Sequence, residues 1–520
     1  MFGKKYKNMV KITDIFQKFI MSNPKRAIKF MTSMPDSFWE KQGEKMALKT
    51  FHETAEKVPA YKDFLLKHGI KDHTKIKTIE DFKKYIPIMN KKNYLNFYPI
   101  EKLTQGKVTE SYILTMSGGT TDKPLYFLSD REGFKTTYPL GMSALLDYLF
   151  DICNPSKKVL LINAVSLGIW AGGVTGILVY KSLCDKFPNI SMATPGADPE
   201  RVIDILEKVG KFYNFIFIAA YPTLLKTIFD AGDKRKIKWE DFNIKLGIGG
   251  ELTDNSLYDY FVEKISPKKR DLYCIFDVYS GTEIGNPGIS TPLTIKIKEL
   301  AKKNDTLRKI IFNNKEVFGL FQSNPVGCYV ESIGDTLVVT RGGKMPIIRY
   351  DTQDLGKLFT WKEMNKILES QKINIQEELK KNGWKKPHFK WPFLTLVGRK
   401  DYAISLFGAK ITPESIQSIF GKDPKIHSFK LASRDIEDLT PRFIIFLELQ
   451  PSVKLTKVEE KKLENYYSNK ILTYLLKTNF DFKDAYDINK EVLTPKIRIY
   501  SFREGPFKEE KDRIKPKLIL

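Results

Sequence analysis

KVLLINAV, Lys158–Val165, is followed at intervals by FYNFIFIAA (Phe212–Ala220), FNIKLGIGG (Phe242–Gly250) and LYCIFDVYS (Leu272–Ser280), each a short run dominated by apolar residues. Between them stand DPERVIDILEKVG (Asp198–Gly210) and YPTLLKTIFDAG (Tyr221–Gly232), whose apolar residues recur at helical spacing. Buried strands alternating with one-sided helices make a layered α/β domain, and the ligands of such domains collect beyond the strand ends.

Toward the N-terminus, up to about residue 110, the texture is helical. HETAEKVPAYKDFLLKHGI carries Val58, Tyr61, Leu65 and Leu66 on one face, and a turn-rich run, YIPIMNKKNYLNFYPI, closes the region. After Phe318, ESIGDTLVVTRG and MPIIRYDTQDLGKLFT read as strands separated by Gly or Pro turns, a β-rich subregion. The insertion beginning at Trp361 is helical at first and then irregular. The main boundary follows FLTLVGRKDYAI: ITPESIQSIF starts a helix with Pro413 and Glu414 early, PRFIIFLELQ is a strand, ENYYSNKILTYLLKT a helix and PKIRIYSF a last strand. That mixture is a small α+β domain able to fold by itself.

The chain has 520 residues, with 86 Lys plus Arg against 62 Asp plus Glu, a formal charge of +24. Its size fits two to four domains at ~150 residues each. Apolar residues at 42% can fill their cores, which excludes wholesale disorder. No run reaches the roughly 20 apolar residues of a membrane helix. The basic start, MFGKKYKNMVKITDIF, lacks the apolar stretch and cleavage site of a signal peptide, so a cytoplasmic location is expected. Cys153, Cys184, Cys274 and Cys328 lie far apart without C-x2-C spacing, and His52, His68, His73, His388 and His427 show no H-E-x-x-H; neither a disulfide framework nor a zinc site is expected. The positive excess favours polyanions in general, but lysine is spread along the whole chain as on a solvated surface, and no specific nucleic-acid partner is expected.

Four segments carry chemistry. In TMSGGTTDKP (Thr115–Pro124), Ser117, Gly118, Gly119, Thr120 and Thr121 allow a turn whose amides and hydroxyls fold around phosphate oxygens, and Lys123 adds a mobile positive charge. The run lacks the G-K-[ST] ending of a Walker A loop, and an ordinary Ser/Thr/Gly turn is the competing reading. In DVYSGTEIGNPG (Asp277–Gly288), Glu283 is placed to hold Mg²⁺ beside nucleotide phosphates and Tyr279 offers a flat face; a turn-capping carboxylate is the alternative. RYDTQDLG (Arg349–Gly356) offers Asp351 and Asp354, and Asp354 at a strand end suits a ribose diol, against an Asx turn. LVGRKDYAI places Arg399 and Asp401 at the domain boundary, as nucleotide and hinge groups or as an interdomain ion pair. Trp170, among the glycines of LGIWAGGVTG, fits a pocket wall or a core aromatic equally. No G-x-S-x-G elbow and no strand–G-x-G-x-x-G–helix unit accompanies these motifs.

Taken in this order, the motifs resemble those of the adenylate-forming (acyl-adenylate) enzymes, and within them the phenylacetate-CoA ligase and coenzyme F390 synthetase-like branch. TMSGGTTDKP is similar to S/T-S-G-T-T-G-x-P, with Gly118 in place of a hydroxyl and Asp122 in place of a glycine. YSGTE (Tyr279–Glu283) resembles Y-G-x-T-E, RYDTQDLG resembles R-Y-R-T-G-D-L, and LVGRKDYAI with GAKITPESI resembles the G-R-x-D hinge and the segment after it. KVPAYKDFLLKHGI and IKTIEDFKKYIPIMNKKNY are similar to the branch's N-terminal region, so the likeness spans residues 50 to 515. It implies a large multi-layer α/β adenylation domain, with residues 1–110 its helical N-terminal part and 111–398 its core, followed by a mobile lid at 399–520.

The resemblance also implies ATP, Mg²⁺ and, less firmly, CoA as cofactors, a small carboxylic acid as substrate, and catalytic roles for Thr120, Glu283 and a lid lysine. Ser117, Gly118, Gly119, Thr120, Thr121 and Lys123 would hold phosphates. Gly250 and Glu251 of IGGEL, Tyr279, Ser280, Gly281 and Thr282 would line the nucleotide and acyl site, and Asp354 and Arg399 would grip the ribose. Pro506 stands where the family has its lid lysine, so Lys508, and after it Lys511, is the substitute. The expected activity is acid–CoA ligation with release of AMP and pyrophosphate. The alternatives are transfer to an amine, to the thiol of an acidic carrier protein or to a protein residue, and a catalytically weak polyanion-binding protein on the same scaffold.

Overall fold

The computed structural model describes residues 23–117, 125–131, 138–268, 271–313, 319–400, 403–420, 423–435 and 438–508. The four apolar runs form strands of one nine-stranded sheet. Its members are β3 (Val159–Asn163) and β4 (Ile190–Ala193), β5 (Phe215–Ala220), β6 (Ile244–Gly249), β7 (Ile275–Gly281), β8 (Gly285–Ile289), β9 (Gly319–Ser323), β13 (Leu358–Phe359) and β14 (Phe393–Leu396), with β1 and β2 (Ile113–Ser117 and Leu125–Ser129) forming a separate antiparallel hairpin. The sheet order is β13-β14-β9-β8-β7-β6-β5-β3-β4, parallel from β4 to β7 and antiparallel beyond.

Alternate side chains of these strands feed two different cores, as the two-residue period of a strand requires. Leu160, Ile162, Ile216 and Ile218 pack against the helices Pro199–Val209, Pro222–Lys234 and Asn255–Ile265. Val159, Leu161, Phe215 and Phe217 pack instead against Tyr138–Phe150, Ala171–Lys186 and Pro292–Lys303. Both faces are covered, so the strands carry no polar side, which is why the runs are apolar without alternation.

The β-rich subregion is a four-stranded sheet of β10 (Tyr329–Ile333), β11 (Thr336–Arg341), β12 (Ile347–Leu355) and β15 (Gly398–Arg399). The N-terminal helices close over it, with Phe51, Tyr61, Phe82 and Met89 in one cluster with Val330, Val339 and Ile347. Met89 joins the backbone of β12, its amide donating to Arg349 O at 3.1 Å while the Asp351 amide donates to Met89 O at 2.9 Å. Arg349 clamps the two parts: its guanidinium pairs with Glu331 at 3.1 Å and donates to the carbonyls of Lys83 and Ile86 at 2.7 and 2.6 Å.

The C-terminal region is smaller and α+β. It contains the hairpin β16 and β17 (Ile404–Leu406 and Ala409–Ile411) and a sheet of β18 (Ile426–Arg434), β19 (Pro441–Leu449) and β20 (Lys496–Tyr500). The helix Lys457–Thr478 lays Tyr467, Ile471 and Leu475 on the sheet face that carries Leu431, Ile445 and Leu447. The expected helix at ITPESIQSIF is Pro413–Phe420, and the insertion after Trp361 forms the helices Trp361–Ser370 and Ile375–Lys381 before its irregular end. The helix Phe480–Ile488 and the short helix Lys490–Leu493 have no counterpart in the sequence reading of this region. Among the described residues no helix is long and apolar enough to cross a membrane.

Candidate active site

The carboxyl ends of β3, β5, β6 and β7 point the same way, and the segments after them, Ala164–Trp170, Tyr221, Gly250–Glu251 and Thr282–Glu283, meet there. Asp354, near the end of β12, is buried beside them. Its Oδ2 accepts from the Tyr279 hydroxyl at 2.7 Å and its Oδ1 from Arg399 Nη1 at 2.5 Å. Arg399 is held opposite by β15, whose register pairs it with Asp354. Burial and the adjacent carboxylate raise the Tyr279 phenol far above its ordinary range, so it stays a donor. Three separated motifs thus meet at one carboxylate.

Glu283 follows β7 on a turn braced by Arg341, whose Nε donates to Glu283 O at 2.6 Å and Nη2 to Thr282 O at 3.3 Å. Its Oε1 pairs with Lys91 Nζ at 2.7 Å. Burial alone would push this carboxyl up, but Lys91 and then Lys410 outweigh it and hold it down at about 2. Lys410 comes from β17 in the C-terminal region. The charge of Arg399, then burial, keeps its ammonium below the usual lysine range, while Asp354 and Glu283 pull the other way. Lys91, Arg341 and Lys410 were not singled out in the sequence. Lys91 sits in the turn-rich run before β1, where Asn90 and Asn93 cap each other, and only the folded chain carries it to Glu283.

Glu251 joins the two regions. Its Oε2 accepts from the Thr223 amide at 3.0 Å and the Thr223 hydroxyl at 2.8 Å, and its Oε1 from the Gly408 amide at 3.0 Å. Burial raises its pKa against these hydrogen bonds. Gly408 has φ +84, and a Cβ there would lie 2.9 Å from Tyr221 Cζ. Gly250, with φ +80, faces the same tyrosine ring at 3.0 Å. In this arrangement Glu251 and Gly250 therefore shape the interdomain contact. Ser280 and Gly281 end the β7 segment, near Glu283.

Ser117 ends β1 with its Oγ buried and unpartnered. Gly118, Gly119, Thr120, Thr121 and Lys123 lie outside the described residues, as do Asp401 and Lys511. Lys508 is exposed. It follows Phe507, which packs with Ala432, Ile444 and Phe446 on the sheet face opposite Leu431 and Ile445, so Lys508 is not gathered with Glu283 here.

Another acid stands at this junction. Asp481, on the helix Phe480–Ile488, is 5% exposed, and both its carboxylate oxygens lack a hydrogen-bond partner. Burial pushes it up to about 7, opposed by Lys410 and Lys91 and reinforced by Asp484 and Glu283.

No family model matches the sequence, and no curated protein matches it. Solved structures match over nearly the whole chain. A 2-hydroxyisobutyryl-CoA ligase in complex with 2-HIB-AMP and CoA in the thioesterification state aligns at TM-score 0.62 and 14% identity, covering 94% of this chain and 90% of that one. The fold is that of an acyl-CoA ligase. The same ligase in the postadenylation state, with R3-HIB-AMP, aligns at TM-score 0.53 and 13% identity over 94% and 90% of the two chains. Its open conformation, with 2-HIB-AMP and CoA, also gives 0.53 and 13% over 94% and 92%. The acyl-CoA ligase fold accounts for the pairing of a large layered domain with a smaller α+β region.

Proposed function

We propose that the protein activates a carboxylic acid with ATP, forming an acyl adenylate and pyrophosphate, and then passes the acyl group to an acceptor with release of AMP. The observation that carries this reading is the convergence of Tyr279, Glu283, Asp354 and Arg399, from three separate motifs, at the carboxyl ends of the sheet. The order of those motifs supports the phenylacetate-CoA ligase and coenzyme F390 synthetase-like branch.

In this reading Asp354 keeps a lone pair on each oxygen for a ribose diol while Tyr279 and Arg399 fix its orientation. The segment with Thr120 and Lys123, which lies outside the described residues, is assigned to the phosphates, and Ser117, just before it, has an unpartnered hydroxyl. An ionised Glu283 whose Oε1 is held by Lys91 fits a Mg²⁺ ligand; such an ion would neutralise charge on the phosphates as pyrophosphate leaves. Among the described residues no group of three His, Cys, Asp or Glu forms a metal cluster, so its other ligands would be phosphate oxygens and water. Lys508 is assigned to the first half-reaction, after the smaller region turns. The higher agreement with the thioesterification-state structure supports reading the present arrangement as the one for the second. The acceptor is CoA in the leading reading, with an amine, a carrier-protein thiol or a protein residue as the alternatives.

The deciding experiment is ATP–pyrophosphate exchange with a panel of carboxylic acids. Acid-dependent exchange supports the reading. Absence of exchange over a broad panel, together with nucleic-acid binding that weakens steeply with salt, supports the polyanion-binding alternative instead. Glu283→Gln lowers exchange by about 10²-fold, the usual cost of removing one electrostatic stabiliser of developing charge, and added Mg²⁺ recovers part of the loss. Gly408→Ala acts on the second half-reaction. An L-residue at φ +84 against the Tyr221 ring disfavours this domain arrangement by about 1–3 kcal/mol, so acyl transfer from preformed adenylate slows roughly tenfold or more in single turnover.

A further inference from the structure

The chain after β20 doubles back over its own sheet. Residues 503–508 lie on the face of β18, β19 and β20 opposite the one that the helix Lys457–Thr478 covers. In register, Ser428 stands opposite Glu448, Lys430 opposite Phe446 and Ala432 opposite Ile444, with Arg498 and Tyr500 alongside on β20. Partners in register project to the same side of a sheet, so all of these side chains share that face. Phe507 is its plug: 1% exposed, it packs on Ala432, Ile444 and Phe446, with the Tyr500 ring 6.3 Å away.

Two buried charges hold this segment, one at each end. Lys430, 3% exposed, donates from Nζ to Pro506 O at 2.7 Å and lies 5.0 Å from the centre of the Phe507 ring. Glu448, 4% exposed, accepts the Arg503 amide on Oε1 at 2.8 Å. Between the anchors the backbone turns tightly. Arg503 has φ +61 and Gly505 φ +54. Gly505–Phe507 is a single 3₁₀ turn, with the Phe507 amide on Glu504 O at 3.1 Å and the Lys508 amide on Gly505 O at 3.3 Å. A Cβ at Gly505 would strike the Tyr500 ring, so the turn is pressed against β20. Burying a charge is costly, and apolar side chains like those of Ala432 and Ile444 would fill the same sheet positions without that cost. What Lys430 and Glu448 fix is the path of the segment that ends in Lys508.

Resting on the adenylation reading above, we propose that Lys430 and Glu448 are positioning residues of the first half-reaction. They hold residues 503–508 in one conformation, so that Lys508 is delivered to the reacting carboxylate and α-phosphate on a rigid turn when the smaller region rotates. Pro506, which stands in the place of the lysine in the resembled motif, serves through its carbonyl. Lys508 directly follows the buried Phe507, so its backbone moves with the sheet. A lysine on a loose tail loses the freedom of the tail as well as its own on reaching the transition state; on a pinned turn the first loss has already occurred in folding.

The test is ATP–pyrophosphate exchange by the full chain, with the acid that gives the highest rate. It is run on Lys430→Met, Glu448→Leu and Lys508→Ala, and on each of the first two combined with Lys508→Ala, with a thermal melt of every protein. Lys508→Ala lowers kcat by about 10²-fold. Lys430→Met and Glu448→Leu each lower kcat by about tenfold and leave KM for ATP and for the acid within about twofold. Neither lowers kcat further in the Lys508→Ala background, because a residue that acts only through Lys508 has nothing left to position there. Glu448→Gln, which keeps an acceptor oxygen, retains most of the rate. A merely structural role predicts additive losses instead. Additive losses, or an unchanged kcat in folded single variants, overturn the inference and leave the adenylation reading standing. If Lys430→Met does not fold, Glu448→Leu carries the same comparison; failure of both to fold assigns the two charges to stability and overturns the inference. No loss in Lys508→Ala overturns it together with the role of that lysine, and absence of exchange in the wild type overturns the adenylation reading itself.

Discussion

In Asp354→Ala, acid-dependent ATP–pyrophosphate exchange falls by about 10²–10³-fold. The carboxylate is the meeting point of Tyr279 and Arg399 and, in the proposed reaction, of the ribose hydroxyls. Hydrogen bonds to a charged group contribute about 1.5–3 kcal/mol each, and alanine removes two from the ribose while leaving the Arg399 guanidinium without its partner. A loss of about 3–4 kcal/mol from the transition state is the stated fold-change. Asp354→Asn keeps the shape and a single acceptor oxygen, and loses about tenfold. Steady-state exchange kinetics on the three proteins, with a thermal melt of each, separates this from unfolding. An unchanged exchange rate in a folded Asp354→Ala protein removes the residue from the nucleotide site.

Arg349→Met destabilises the protein by about 3–5 kcal/mol, the usual cost of stranding one member of a buried ion pair. Arg349 and Glu331 are 7% and 6% exposed, and the same guanidinium satisfies the carbonyls of Lys83 and Ile86. Its loss leaves a desolvated carboxylate and two buried carbonyls without donors, and it loosens the N-terminal helices from β12. Removing the other charge as well, in Arg349→Met with Glu331→Leu, restores much of the loss, because the stranded charge is the larger part of the penalty. Urea unfolding of wild type, single and double variants checks both statements; a single variant as stable as wild type refutes the clamp.

The strand runs were legible because burial on both faces leaves a strand no polar side, and the chain between Lys158 and Ser280 records that directly. ITPESIQSIF, PRFIIFLELQ and PKIRIYSF were legible through capping residues and apolar density. FDFKDAYDI was not. Its nine residues alternate aromatics with aspartates, a pattern too short to show a helical period, and its N-cap, Asn479, is a signal shared with many turns. The acidic face that results became visible only in space.

The candidate site divides in the same way. Tyr279, Glu283, Asp354 and Arg399 could be chosen from the sequence because each sits in a motif whose local backbone already suggests a strand end or a turn. Lys91, Arg341, Lys410 and Asp481 could not. Lys91 reaches Glu283 across 192 residues of chain, Lys410 arrives from the other domain, and Asp481 is notable only for what does not surround it. Glu251, expected from the sequence as a nucleotide-loop residue, also receives the Gly408 amide, a partner that the sequence did not reveal.

The positive charge of the chain pointed to no partner, since composition sums over the whole surface. Residue order is enough to set strand periodicity, helix caps and motif spacing, because these depend on neighbours a few positions apart. Which charges face one another across the junction of the two regions depends on long-range packing, and a carboxylate's proton affinity follows from that burial and those neighbours rather than from its place in the chain.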